Sequence, residues 1–284
     1  MVITIDAEGL SDTGTLHENN GDQFLVAQLG KTIAVRSTTL PTVTRPELPG
    51  ASTGYLFAVA DGMGWFADGE DASGLATYTL VRYLHGMLPW FHSATSRSKD
   101  DVATDLLRAV KQCETVVQSA LVGDARPRRS RSTLTMAYLD YPNLFVVNVG
   151  DSRCYVLRDS RLHQVTVDHT VARELYEHGV LDAEEVAETE ERSMLSQAIG
   201  GSRSGVQPDV YVEQVDSGDT VLLCTDGLTD SVSDRTIADL LGSSETAERK
   251  CQELVRAARK NDGADNATVI VARVLENDGK AVAA

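Results

Sequence analysis

Basic residues are scarce in this chain of 284 residues: 26 lysines and arginines stand against 42 aspartates and glutamates, a formal charge of −16. A surface of that sign repels nucleic acid and anionic lipid, so neither nucleic acid nor membrane is an expected partner. It favours metal cations and basic protein segments. Cysteine is sparse as well. Cys113, Cys154, Cys224 and Cys251 form no Cys-x-x-Cys pair and sit among apolar neighbours, which excludes a disulfide framework and reads as four buried thiols. The six histidines form no His-x-x-x-His pair. No basic-then-apolar leader opens the sequence, and no apolar run is long enough to span a bilayer. A soluble, cytoplasmic protein is expected. No Pro/Gly/Ser linker divides the chain, so residues 1–275 are expected to form one domain and 276–284 a frayed tail.

What the chain does have is aspartate in turns. Asp22 follows Asn19-Asn20-Gly21, Asp61 opens Asp-Gly-Met-Gly, Asp151 follows Gly150, Asp226 precedes Gly227, and Asp265 precedes Asn266. Three of them adjoin apolar runs that read as buried strands: 55–60, 221–224 and 267–271. Carboxylates at strand ends deliver hard oxygen ligands, so a Mg or Mn centre is the first expectation. Asp6 and Asp12 read as turn caps and His169 as a structural partner holding its turn.

Strands are expected at 24–29, 32–35, 55–60, 133–139, 144–149, 153–157, 162–167, 210–215, 220–224 and 267–274. Residues 37–53, rich in Pro, Thr and Ser, read as a loop. Helical spacing over 70–87 puts Ala72, Leu75, Ala76, Leu80 and Leu84 on one stripe. A second helix over 99–121 is announced by Ser98 and Asp101, with Val102, Leu106, Ala109, Cys113, Val116 and Ala120 as its apolar face. A helix is also expected over 245–260, and Asp182 with Glu185 caps a small one inside an acidic surface insertion at 168–194. Short turns between neighbouring strands imply antiparallel pairing, hence an α+β fold: a four-layer α-β-β-α sandwich of two mainly antiparallel sheets flanked by helix pairs.

The segments Ser11 to Asp22, Val59 to Gly64 with Gly69 to Ser73, Val149 to Arg153, Asp168-His169, Leu195 to Gly201, Cys224 to Asp230 and Asp265 to Val269 occur in an order that resembles the metal-dependent protein phosphatases, the type 2C serine/threonine phosphatases in their bacterial form. The resemblance covers roughly residues 8 to 274 and implies the same sandwich. It implies that Asp61 bridges two Mn or Mg ions, that the Gly62 carbonyl adds a ligand, and that Asp226 and Asp265 complete the first ion. Asp22 would act near the second ion through water, and Asp151 beside a third, weaker one. The 168–194 insertion would be the flap that governs substrate access. The implied reaction is hydrolysis of phosphoserine and phosphothreonine by attack of a metal-bridging hydroxide, with Asp61, Asp226 and Asp265 at its centre. Phosphorylated proteins are the implied partners, serine/threonine kinases among them, and the chain is expected to act as a monomer.

Three positions depart from that pattern. His17 stands where the family has an arginine that grips the substrate phosphate, and an imidazole offers one donor against a bidentate fork. Trp65 and Phe66 replace a glycine and a histidine, and Gly21 replaces a frequent glutamate. They motivate two alternatives: a pseudophosphatase, a weakly active module that binds phosphoproteins, and a phosphoesterase acting on small molecules. Arg126 to Arg131 is a basic tract read as a solvated loop, or as an extra docking patch.

Overall fold

Strands that are buried along their whole length need cover on both faces, and the arrangement of this chain supplies it. The structure, a computed structural model, describes residues 2–30, 33–39, 54–63, 68–93, 98–121, 130–201, 205–261 and 263–277. One sheet runs, in spatial order, β1 (Val2–Asp12), β13 (Ala267–Asn277), β12 (Thr220–Cys224), β9 (Arg153–Arg158) and β10 (Arg161–Gln164). The other runs β11 (Asp209–Gln214), β8 (Asn143–Val149), β7 (Leu134–Asp140), β4 (Gly54–Ala60), β2 (Gln23–Leu29) and β3 (Ile33–Thr38). A short ribbon joins β5 (Gly62–Met63) to β6 (Arg131–Ser132). Every pairing between these strands is antiparallel.

The period of two in each strand sorts side chains into three apolar layers. Phe24, Val26, Phe57 and Val59 meet Cys154, Val156, Leu223 and Ile270 between the sheets. Their sequence neighbours Leu25, Ala27, Leu56 and Ala58 point the other way, against α1 (Asp68–Ser93) and α2 (Lys99–Leu121). Tyr155, Leu222, Val269 and Val271 meet Leu228 of α5 (Asp226–Thr229), Ile237 and Leu241 of α6 (Asp234–Leu241), and Leu254 of α7 (Ala247–Lys260). The sandwich is therefore four layers, as expected. The four cysteines are free and buried, and burial pushes the thiols of Cys113, Cys224 and Cys251 up to about 12. At that value they are inert as nucleophiles.

Some elements differ from expectation. β1 was not anticipated: Ile3, Ile5 and Ala7 pack on the inter-sheet core, but the alternating acids and Gly9 dilute the pattern. Gly9 is required because a Cβ there would lie 2.5 Å from the Phe24 ring. β3 extends to Thr38, into the stretch read as loop. The buried face of α2 runs at its end through Val110, Cys113 and Val117, leaving Ala120 exposed, because at 3.6 residues per turn Val117 falls within about 20° of Leu106 whereas Val116 falls about 80° away. α1 runs on to Ser93, beyond the apolar stripe that marked it. Both expected capping boxes form. Asp101 N–H donates to Ser98 Oγ at 3.1 Å while Ser98 N–H donates to Asp101 Oδ2 at 3.2 Å, and Asp182 with Glu185 makes the same exchange.

The loop before Asp22 is stitched to the last strand by one side chain. Asn266, 8% exposed, accepts from Gly21 N–H at 2.7 Å and donates to the Thr13 carbonyl at 2.7 Å. Replacing it with alanine leaves a buried donor and acceptor unsatisfied, at a cost of about 1–3 kcal/mol. Asn266→Ala is expected to lower the Tm by about 2–10 °C in calorimetry. An unchanged Tm would show that the stitch carries no stability.

Candidate metal centre

Sheet register brings the five aspartates to one end of the sandwich. Asp22 precedes β2 and Asp61 follows β4, and these neighbours pair Gln23 with Ala60. Asp226 follows β12 and Asp265 shortly precedes β13, where Cys224 pairs with Val269. Asp151 lies just before β9, whose Arg153 pairs with Cys224. Antiparallel pairing turns residues distant in sequence into neighbours at a common edge.

The turns that carry these groups are held by polar side chains. Asp61 N–H donates to Thr133 Oγ1 at 2.9 Å, and the Asp61 carbonyl accepts from Thr133 N–H at 2.9 Å. Thr225 Oγ donates to Asp22 Oδ2 at 2.8 Å and accepts from Thr268 N–H at 3.0 Å. Gly150 sits at φ +110, and a Cβ there would lie 2.6 Å from Thr133 Cγ2, so only glycine fits the turn before Asp151. Gly21 matters for a different reason: a Cβ on it would lie 2.6 Å from the Gly62 carbonyl oxygen, so its bareness keeps that oxygen clear. Arg153 clamps Asp168 through Nε at 2.9 Å and Nη2 at 2.6 Å, which gives Asp168 a structural partner at the root of the insertion.

Electrostatics at this end are unfavourable on their own. Asp22 is 1% exposed and Asp151 9%, while Asp61 and Asp226 are half-buried and Asp265 is exposed. Burial pushes Asp22 up to about 6, with the Asp265 charge adding to it against the hydroxyls of Thr268 and Thr225. Burial and the Asp168 charge push Asp151 up to about 7. Asp61 is raised well above the ordinary range by burial, then by the charges of Asp226, Asp22, Asp151 and Asp265. Asp226 is raised likewise by burial and by Asp151, Asp265, Asp22 and Asp230. Asp61 thus lies within reach of the charges of the other four carboxylates.

Such a cluster fits a divalent cation. Asp22 Oδ1 is buried and has no hydrogen-bond partner, and a bare ionised oxygen in the interior is costly unless a cation or a proton meets it. Among the described residues no three His, Cys, Asp or Glu side chains converge into a preformed cage. An all-oxygen set in which one or two carboxylates anchor each ion and water fills the rest suits Mg or Mn.

His17 is brought to the centre, but against a carboxylate: its Nε2 lies 3.2 Å from Asp265 Oδ1. Asp12 accepts from Gly14 N–H at 2.9 Å, the turn cap expected of it. Asp6 instead caps α7 through Ala247 N–H at 2.9 Å and binds Arg273 at 3.1 Å. Trp65 and Phe66 lie outside the described residues, as does the basic tract before Ser130. Asp230 was missed. It stands four residues, one helical turn, after Asp226, and its charge raises both Asp151 and Asp226. Reading α5 as a helix would have found it. A separate cleft of about 570 Å³, lined by Arg158, Arg161 and Glu213 among others, lies at the far end of β9 and holds charges of both signs.

The raised carboxylates fix a pH dependence. Between about pH 4 and 7 the folded state holds protons that unfolded aspartates, with pKa near 3.9, have released. Through Asp22 and Asp151, stability of the metal-free protein therefore falls as pH rises through that window. Differential scanning fluorimetry should give a higher metal-free Tm at about pH 5 than at about pH 7.5. Millimolar Mn should raise the Tm clearly at the higher pH and little at the lower, where protons compete. A metal-free Tm that climbs between the two would contradict the carboxylate cluster as its cause.

Comparisons with known proteins place the chain among its relatives. The profile of the family described as Protein phosphatase 2C matches residues 49–267, which include Asp61, Asp151, Asp226 and Asp265. The serine/threonine protein phosphatase PstP of Mycobacterium tuberculosis H37Rv is 34% identical over 223 residues, 78% of this chain and 41% of that protein. This chain thus spans about two fifths of that relative's length. The serine/threonine phosphatase stp of Listeria monocytogenes is 30% identical over 226 residues, 79% of this chain and 87% of the relative. The crystal structure of the PstP catalytic domain with 2 manganese ions has a TM-score of 0.71 and 28% identity, covering 97% of this chain and 100% of the other. By its matched profile and by these relatives, the chain belongs to the protein phosphatase 2C family.

Proposed function

We propose that the chain is a metal-dependent protein serine/threonine phosphatase. The observation that carries the reading is the unpartnered buried oxygen of Asp22 within a cluster of carboxylates that raise one another's proton affinity. Asp61 would hold both ions of a Mn or Mg pair, the Gly62 carbonyl one of them, Asp226 and Asp265 the first, and Asp22 the second through water. Asp151 would hold a third. Bound there, divalent cations supply Lewis acidity that acidifies water and neutralises phosphoryl charge. The chain's own part is to fix the carboxylates before substrate arrives, through Thr133, Thr225 and Asn266.

His17 has one ring nitrogen on Asp265 and the other for a phosphoryl oxygen, a weaker grip than a guanidinium fork. This contact also favours the second reading, a phosphoprotein-binding module of low turnover. Residues 1–275 would act as one monomeric catalytic unit in the cytoplasm, on phosphorylated proteins that include serine/threonine kinases. Among the described residues no helix is long and apolar enough to cross a membrane.

Turnover of a phosphothreonine peptide should require Mn, vanish in EDTA, and fall by about 100-fold or more in Asp226→Asn. Nucleotides and sugar phosphates should be poorer substrates. Retained Mn binding without turnover in the unaltered protein would make the binding module the better reading. His17→Ala is expected to raise KM about 3–10-fold with little change in kcat, the pattern of a group that binds ground and transition states alike. A loss confined to kcat would place His17 in the chemistry instead.

A further inference from the structure

Apolar side chains fill the space between the sheets as far as Val156, and there the space opens into the cleft of about 570 Å³. Sheet register assigns its walls. Across the β9–β10 hairpin Arg161 pairs with Arg158 and His163 with Val156, so all four side chains share the face that Val156 turns toward the other sheet. On β11, Glu213 stands two residues after Tyr211 and shares its inward face. Arg158 is fixed in place: its Nε donates to buried Asp219 at 3.0 Å and its Nη2 to the Gln214 carbonyl at 2.7 Å.

The other charges in the cleft are not matched in this way. Among the described residues, the side chains of Arg161, His163 and Glu213 make no hydrogen bond or ion pair. Arg161 and His163 are exposed, while Glu213 is half-buried. A carboxylate drawn partly out of water is costly until a donor meets it, and the cations on the opposite wall do not reach this one. A ligand that presents a basic group to Glu213 and an acidic one to Arg161 satisfies both walls.

The backbone beside the cleft is open as well. β10 is the outermost strand of its sheet, so among the described residues its outer edge has no strand partner. Free edges template a further strand, and inward charges on an edge bar strands that do not match them. An extended segment with matching charges at alternate positions meets attraction instead. The four residues of β10 give it about 13 Å of edge. This place is remote from the acidic edge. β9 starts at Arg153, which clamps Asp168 ahead of the flap helices α3 (Val171–Glu177) and α4 (Ala183–Glu188), and finishes about 17 Å away at Arg158.

We propose that the cleft and the free edge of β10 form a docking groove for an extended segment of the phosphoprotein substrate, with acidic residues toward Arg161 and His163 and a basic residue toward Glu213. Its use by substrates rests on the phosphatase reading, whereas the binding of such a segment does not.

The probe is a fluorescein-labelled peptide, Thr-Glu-Val-Glu-Val-Lys-Thr, whose charges share one face when extended. By anisotropy, the full chain should bind it about 10-fold or more tighter than a version with Gln at the charged positions. N-methylation of both valines should weaken it similarly, because the backbone can then no longer pair. Arg161→Glu should lose about 10-fold for the probe and regain it for a probe in which one Glu is exchanged for Lys. That rescue separates recognition from a fold defect. No binding, equal affinity for the charged and neutral peptides, or no rescue overturns the proposal. Undiminished binding of the N-methyl peptide overturns the pairing with β10. Joined to a phosphothreonine peptide by about ten Gly/Ser residues, with a reach of about 17 Å, the segment should lower KM about 10-fold at constant kcat, and not in Arg161→Glu. Turnover with KM unmoved by the segment sinks the docking role alone. Binding of the segment without turnover of any phosphothreonine peptide sinks the phosphatase reading, and the substrate role with it.

Discussion

Like charges held together away from water are the constraint on which this molecule turns. Burial and mutual repulsion raise Asp22, Asp61, Asp151 and Asp226 together, and such a cluster persists only if a proton or a cation meets it. The fold makes the cluster unavoidable. Five turns from two stacked antiparallel sheets end at one edge, and the registers leave their carboxylates no other place to go. Much of the remaining polar chemistry at that end restrains the acids without neutralising them: threonine hydroxyls, an asparagine amide, and an arginine engaged with Asp168.

The division of labour between layers follows from this. Three apolar layers supply stability without using the acidic edge, and their cysteines are buried deeply enough to be chemically silent. The edge supplies function at a cost in stability, relieved when the charge is matched. The flap needs little core of its own. Its first helix buries only Ala172, and its tie to the sandwich is the zipped root at His169 to Ser196. Stability there is local and low, because few of its side chains are buried.

Most of the sandwich and all five aspartates were legible in the sequence, because strands buried on both faces leave continuous apolar runs and turns leave Asp-Gly and Asp-Asn pairs. β1 was not legible, since its acids and Gly9 mask the alternation of Ile3, Ile5 and Ala7. α5 and Asp230 were missed because a helix of four residues has no period to detect. The supporting roles of Thr133, Thr225 and Asn266 had no local signal at all. Each acts on a residue brought near only by sheet pairing, which no spacing along the chain encodes. His17 shows the same limit from the other side: its place could be read, but its contact with Asp265 could not.

The pairing of β1 with β13 reaches from Val2 opposite Asn277 to Asp12 opposite Ala267. During synthesis, the first strand therefore waits for the last one to leave the ribosome before its sheet can close. Asp22 and Asp61 emerge early, and Asp265 only with the end of the sandwich. A polypeptide halted anywhere before β13 carries an unpaired strand edge and an incomplete set of acids. Such a product exposes an unpaired strand edge to proteases and to other chains.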